Sequence, residues 1–419
     1  MPLHRILNAR LDDGRVVDIE VTGGHITAIT PSGFRTPESR TPESRTSGIA
    51  TSDTDVESFD AQRFLLLSSF AEPHAHLDKA FLSERIDNPT GDLMGAITAV
   101  AEQAQTLTFD DIVLRATRAA QIYVANGATR IRSHVDTTNG STLHVRALRH
   151  VAQDLSHLCD IQVCALVEWP ITGAEGASNR RLAEQARLDG ADLIGGCPHL
   201  DVDPHGANTV FLNLARDLDC GLDLHVDETL ATDMLSLADL ADQYLSSPID
   251  QPVTASHCVS LGMQDADTQR RVAKLVSRAD ISVVALPQTN LYLQGRDHTA
   301  AIPRGLTALH TLRKEGVRVV AGADNIQDPF NPMSRVDPME TASLMVTAGH
   351  FSVAEALRAV SADAHAVLTG SAHGSSHGVN VGSPADFVLS PAATPRELMA
   401  FGSQPRVTIY RGRVVSDTR

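Results

Sequence analysis

The sequence predicts an α/β fold, a (β/α)8 TIM barrel carrying a small β-sandwich domain formed by both termini. Three observations predict it. Eight short β-rich runs recur between residues 64 and 375. Amphipathic segments separate most of them, and several end at a glycine that leads straight into the next run. Both ends of the chain instead read as strands joined by tight turns. The expected division is a β domain of residues 1–63 with 376–419, and a barrel of residues 64–375.

The elements follow in order. Residues 16–21 (VVDIEV) and 25–29 (HITAI) alternate between apolar and polar, and Asp-Gly and Gly-Gly bound them as they bound hairpin strands. After Gly33 the segment TPESRTPESRTSG repeats a polar pentapeptide, which predicts a mobile surface loop. The barrel runs are 64–70, 129–135, 161–167, 192–195, 222–226, 253–256, 281–286 and 317–321. Between them, 110–126 places Ile112, Ala116, Ala120 and Tyr123 on one helical face and stops at Gly127. Segment 208–219 ends before Gly221, and 306–315 ends before Gly316. Repeated βα units of this number favour a closed barrel over an open sheet. Residues 386–389 and 407–415 return to strands, with Arg411 and Gly412 in a turn.

Composition excludes several function classes. Acidic residues outnumber basic ones 51 to 35, for a formal charge of -16. Such a chain is poorly suited to nucleic acid or an anionic membrane surface. Aromatic residues are only 4%, which argues against base-stacking platforms. Five cysteines without a CxxC pair suggest neither a disulfide framework nor a zinc knuckle. No stretch approaches the ~18 apolar residues of a membrane span, and the N-terminus lacks a signal peptide's apolar run. A cytoplasmic protein is expected, with no nucleic-acid or membrane partner and with homo-oligomers as the default for a soluble protein.

In barrels of this kind chemistry sits at the C-terminal ends of strands. Unusual polar residues fall there: Glu72, His74, His76, Asp78 and Lys79 after run one, and His134 and Asp136 after run two. Glu168 ends run three, His225, Asp227 and Glu228 follow run five, and His257 ends run six. Gln288 follows run seven, and Asp324 and Asn325 end run eight. His74 and His76 form an HxH pair, whose imidazoles share one face of an extended strand and suit zinc or iron(II). His225 and Asp324 would complete a His3Asp shell. Glu228 suits a proton shuttle. His257 reads as a ligand or as a donor to a developing oxygen. His134 reads as a structural neighbour. Lys79 is expected to orient a substrate oxygen or to form a salt bridge.

The motifs EPHAHLDKAF, GLDLHVDET, TASHC, LPQTNLYLQGR and GADNIQDPFNP resemble, in order and spacing, the cytosine deaminase branch of the amidohydrolase superfamily. The first motif is also similar to that of N-isopropylammelide amidohydrolases. The resemblance covers residues 64–415. It implies a distorted (β/α)8 barrel, and one divalent metal ion (zinc or iron(II)) held by His74, His76, His225 and Asp324. It also implies Glu228 as the proton-transferring acid and His257 over the metal-bound hydroxide. Glu168 stands where the resemblance implies a substrate-binding glutamine. A carboxylate there only accepts hydrogen bonds, which favours a ring edge of N–H groups or a cationic amidine. Asn325 replaces an aspartate and Phe330 a tryptophan; with Gln288 and Lys79 they are expected at the substrate.

The lysines bear on the metal count. Only Lys79, Lys274 and Lys314 occur, and none follows run four, where binuclear relatives carry a bridging carbamylated lysine. The expected function is hydrolytic deamination of a small aminated heterocycle, a pyrimidine of the cytosine or isocytosine kind. Cleavage of an N-alkylamino triazine or a cyclic amide is the alternative, and a non-catalytic ligand-binding barrel is the alternative of another class.

Overall fold

The computed structural model describes residues 2–33, 57–137, 140–371, 378–402 and 404–419. The duplicated TPESR segment lies outside them. The chain forms two compact units, Met1–Ser69 with His377–Arg419, and Phe70–Ser376.

Strands β1–β5 are Arg5–Arg10, Val16–Thr22, His25–Pro31, Ser58–Asp60 and Leu65–Ser68. Strands β6–β9 are Phe70–Ala75, Ala128–Asp136, Asp160–Val167 and Leu193–Gly196. Strands β10–β13 are Gly221–Val226, Val253–His257, Ser282–Ala285 and Val319–Ala321. Strands β14–β16 are Phe387–Ser390, Val407–Tyr410 and Arg413–Asp417.

The terminal unit is a mixed sheet in the order β16-β15-β14-β5-β1-β2-β3, with β4 beside β1. Alternation drives it: Val17, Ile19 and Val21 on β2 are buried while their neighbours are more exposed. Those residues share a core with Ile6, Ile26, Phe387, Val407 and Ile409.

The second unit is a parallel barrel, β6 through β13 in sequence order, wound with helices. Asp324 N–H donates to the His74 carbonyl and His76 N–H to that of Asp324, both at 2.9 Å, which joins the first and last strands. Most of these strands are buried on both faces, so their sequences run apolar rather than alternating.

The first run differs from its expected assignment. Residues 64–70 contain the end of one sheet and the start of the other. β5 pairs antiparallel with β14 in the terminal sheet, and the barrel begins at β6. The change falls at Ser69, whose N–H donates to Asp386, while that of Phe70 donates to Gly127. Burial on both sides of the break hid it from any hydrophobicity pattern.

The expected helix 110–126 is Phe109–Ala125, capped by the Thr108 side chain. Segment 208–219 starts earlier, as Pro204–Asp217, because Asp203 caps Gly206 N–H and Pro204 suits the first turn. Segment 306–315 is shorter, Leu309–Lys314. The helix Leu93–Gln103, capped by Asp92, has a weak helical signal in sequence, because Gly95 and β-branched Ile97, Thr98 and Val100 lower its propensity. No helix among the described residues is long and apolar enough to cross a membrane.

Candidate metal centre and active site

Four strand ends bring the polar residues together. β6 carries His74, with His76 just beyond it; β10 carries His225, β11 ends in His257, and Asp324 follows β13. The Nε2 atoms of His74 and His225 lie 3.2 Å apart, and those of His225 and His76 lie 3.3 Å apart. Asp324 Oδ1 is 3.1 Å from His76 Nε2 and 3.6 Å from His74 Nε2. One ligand atom from each of the four residues lies within 4.8 Å of the others, and all four residues are buried.

This donor set fits a cation. Burial, then the neighbouring imidazoles, hold His74 and His225 well below the usual histidine range; burial and then Lys79 do so for His76. They are therefore neutral, the form that ligates metals. Three neutral imidazole edges and a carboxylate oxygen converging at hydrogen-bond distance have more lone pairs than protons to share. Asp324 Oδ2 is also buried without a partner, and burial and Glu228 push that carboxyl well above its usual range. A cation among these atoms offsets both penalties. Among the described residues, His74–His134–Asp223 and Glu228–His257–Asp324 also cluster. His134 stacks on His74 at 3.9 Å between ring centroids, as a neighbour in the packing.

Two groups able to move protons adjoin the cluster. Burial raises the Glu228 carboxyl to about 8. Burial lowers His257 to about 3. His257 Nδ1 lies 3.1 Å from Asn290 Oδ1 and 3.5 Å from Glu228 Oε1, and its Nε2 lies 3.9 Å from Asp324 Oδ2. His257 and Asp324 both adopt left-handed backbone, with φ of 69° and 68°. That conformation costs a non-glycine residue about 1–3 kcal/mol, and such strain concentrates at functional sites.

A cavity of about 110 Å³ opens on this cluster. Lys79, Asp136, Glu168, Glu228 and Asn325 form much of its polar wall. Leu93, Ile97 and Val100 of the helix Leu93–Gln103 form an apolar wall with Trp169, Leu200 and Phe330. Lys79 is in a salt bridge and also lines the cavity. Its Nζ donates to Asp136 Oδ1 at 2.6 Å and lies 3.8 Å from Asp78 Oδ1. Burial opposes its charge, but Asp136 and Asp78 outweigh burial and raise it. Glu168 is half-buried, and burial and then Asp136 push its carboxyl up. Asn325 donates to Asp328 Oδ2 at 2.9 Å and accepts from Thr289 Oγ1 at 3.2 Å. Gln288 does not reach the cavity wall; its amide donates to Thr341 Oγ1 at 2.6 Å. Asp136, by contrast, had no expected role, although its place at a strand end was a usable signal.

The geometry has counterparts. Residues 177–416 match the model of the Amidohydrolase family. The chain is 30% identical over 408 residues to the pterin deaminase of Rhizobium rhizogenes, an alignment covering 95% of this chain and 87% of that one. The chain belongs to the amidohydrolase family. As an amidohydrolase it is an enzyme acting on C–N bonds other than peptide bonds. It is similar in structure to 5-methylcytosine deaminase from Klebsiella pneumoniae liganded with 5-fluorocytosine, with a TM-score of 0.85, 26% identity, and 99% and 98% of the two chains covered. N-isopropylammelide isopropylaminohydrolase from Burkholderia multivorans shares the fold, with a TM-score of 0.80, 23% identity, and 100% and 99% covered.

Proposed function

We propose that this amidohydrolase is a metal-dependent hydrolytic deaminase of a small aminated nitrogen heterocycle, of the cytosine or isocytosine kind, that releases ammonia. One observation carries the reading: His74, His76, His225 and Asp324 converge within one cluster, and a single small cavity opens on that cluster beside Glu228 and His257. The likeness to pterin deaminase and to 5-methylcytosine deaminase supports it.

His74, His76, His225 and Asp324 would hold one divalent cation, zinc or iron(II), both of which accept imidazole and carboxylate ligands. When bound, such a cation acts as a Lewis acid and lowers the pKa of water from 15.7 to about 7. The chain's own residues move the protons. Glu228, raised by burial, can carry a proton near neutrality and deliver it to a ring nitrogen, which makes the adjacent amidine carbon electrophilic. Asp324 Oδ2 has no partner and accepts the proton of the attacking water. His257 donates its Nδ1–H to Asn290 Oδ1, which leaves Nε2 facing Asp324 Oδ2 as an acceptor. Once Nε2 takes that proton it becomes a donor to the oxygen developing on the ring carbon. His257 then passes that proton to the amino nitrogen, which leaves as ammonia, while Glu228, ionised by its first transfer, takes up the proton of the added hydroxyl.

The polar wall selects the substrate's charge. Asp136 and Glu168 line the cavity, while the Lys79 cation is already matched by Asp136. That balance disfavours carboxylate or phosphate substrates. An ionised Glu168 would accept from a ring edge of N–H groups or from a cationic amidine. The apolar wall of Leu93, Ile97 and Val100 favours one other reading, cleavage of an N-alkylamino heterocycle. The leaving group separates the two. We expect zinc-, iron- or manganese-loaded protein, screened against small aminated heterocycles, to release ammonia. Alkylamine release alone would select the second reading, and metal-loaded protein that releases neither would refute both.

A further inference from the structure

We infer that Ser256 is a positioning residue for His74: held by Asp223 and Arg132, it sets the His74 tautomer that turns the Nε2 lone pair toward the metal site. The inference rests on the proposed role of His74 as a ligand.

The parallel register supplies the parts. β10 and β11 pair His225 with Ser256 and Asp223 with Thr254. Ser256 therefore sits one residue before His257, on the strand beside His225. Its Oγ donates to Asp223 Oδ1 at 2.8 Å and lies 2.8 Å from His74 Nδ1. Asp223 Oδ2 accepts from Arg132 Nη1 at 2.7 Å. Arg132, fully enclosed, also donates to Thr254 Oγ1 at 3.3 Å and to Gln162 Oε1 at 3.1 Å. Gln162 in turn donates to the Leu368 carbonyl at 2.7 Å. The chain of bonds thus runs from the helix Ala362–Thr369 to the His74 ring.

Proton counting fixes its direction. A carboxylate beside a buried guanidinium only accepts, and a guanidinium only donates. The single Ser256 hydroxyl proton therefore goes to Asp223. Toward His74 the Ser256 oxygen presents lone pairs, so His74 Nδ1 must carry the hydrogen. Nε2 is then left with its lone pair, facing His225 Nε2 at 3.2 Å and Asp324 Oδ1 at 3.6 Å. In the other tautomer two lone pairs would face each other at Ser256, and an N–H would occupy the metal side. His134, stacked on His74 with the planes 22° apart, restrains the ring from tilting. The ring nitrogens His76 Nδ1 and His225 Nδ1 are buried without a hydrogen-bond partner, so this restraint falls on His74 alone of the three.

The test is zinc affinity, measured by competition with a chromogenic chelator, together with the thermal melt of each protein. Removing such an outer partner typically weakens metal binding about 10–100-fold, which is the loss expected of Ser256→Ala. Thr254→Val also touches Arg132 but not His74, and should bind zinc like the wild type. A Ser256→Ala affinity within about threefold of wild type, where about 10–100-fold is expected, overturns the inference. An equal loss in Thr254→Val overturns it too, because the effect would then belong to the buried Arg132 pair. Should Ser256→Ala not fold, ¹⁵N-histidine NMR of the zinc-loaded wild type reads the tautomer directly. Nδ1–H on His74 supports the relay and Nε2–H overturns it. Wild-type protein that binds neither zinc nor iron(II) refutes the proposed function itself, whereas failure confined to Ser256 leaves that function standing.

Discussion

Replacing Glu228 by Gln tests the proton-transfer step with little change of shape. The glutamine fills the same buried site beside His257 Nδ1. It cannot deliver a proton to the ring nitrogen. Burial pushes the Glu228 carboxyl well above the usual carboxylate range, which favours its acid form near neutral pH. Positioned acid–base groups contribute about 10²–10⁴-fold. The variant should therefore lose at least about 100-fold in kcat, which corresponds to about 2.7 kcal/mol of transition-state stabilisation. KM should change little, because the amide still offers polar contacts. Metal content should stay at the wild-type level, because Glu228 is not among the proposed ligands. Steady-state ammonia release and elemental analysis of the same preparations read both. A kcat within about tenfold of wild type, with metal retained, would remove Glu228 from the proton path.

Other outcomes follow from single sites. Glu168→Gln should shift the ratio of kcat/KM toward neutral pyrimidines such as cytosine by about tenfold or more, measured in paired ammonia assays; an unchanged ratio would take Glu168 off the substrate. Asp201 accepts from Ile171 N, Thr172 Oγ1 and Asp203 N, and these bonds outweigh its burial and hold its carboxyl below the usual range. With a depressed folded pKa, its stabilisation is complete above the unfolded value and fades as pH falls through the folded one. Asp201→Asn should thus cost about 1–3 kcal/mol in urea melts at pH 7, a gap that narrows below about pH 4; a constant gap would contradict this. An added methyl at Gly196 would sit 2.1 Å from Phe211 Cζ. Gly196→Ala should destabilise by about 1–3 kcal/mol, and Phe211→Leu in that background should recover part of the loss; additive losses would refute the clash.

The barrel was legible because its βα units repeat and their stop glycines recur. The residues that cluster at the strand ends were legible because polar side chains stand out where apolar runs end, as at His225 and His257. What could not be read depends on neighbours far apart in sequence. The boundary at Ser69 is a change of hydrogen-bond partner between two equally apolar strands. Gln288 sits at a strand end, yet its amide is turned to Thr341, 53 residues away. Leu93, Ile97 and Val100 reach the cavity on a helix whose own propensity is weak. Ser256 and Asp223 look like ordinary strand residues until the register of β10 and β11 sets them behind His74.

If the proposal holds, ammonia release depends on one divalent cation held by His74, His76, His225 and Asp324. Chelated protein, titrated with zinc or iron(II) while ammonia release is followed, tests it most directly. Activity should be absent at the start, rise linearly, and level off at one equivalent per chain, with no such rise in His74→Ala. Ammonia release that survives chelation, or that needs two equivalents of metal, would rule out a single essential cation at these four residues.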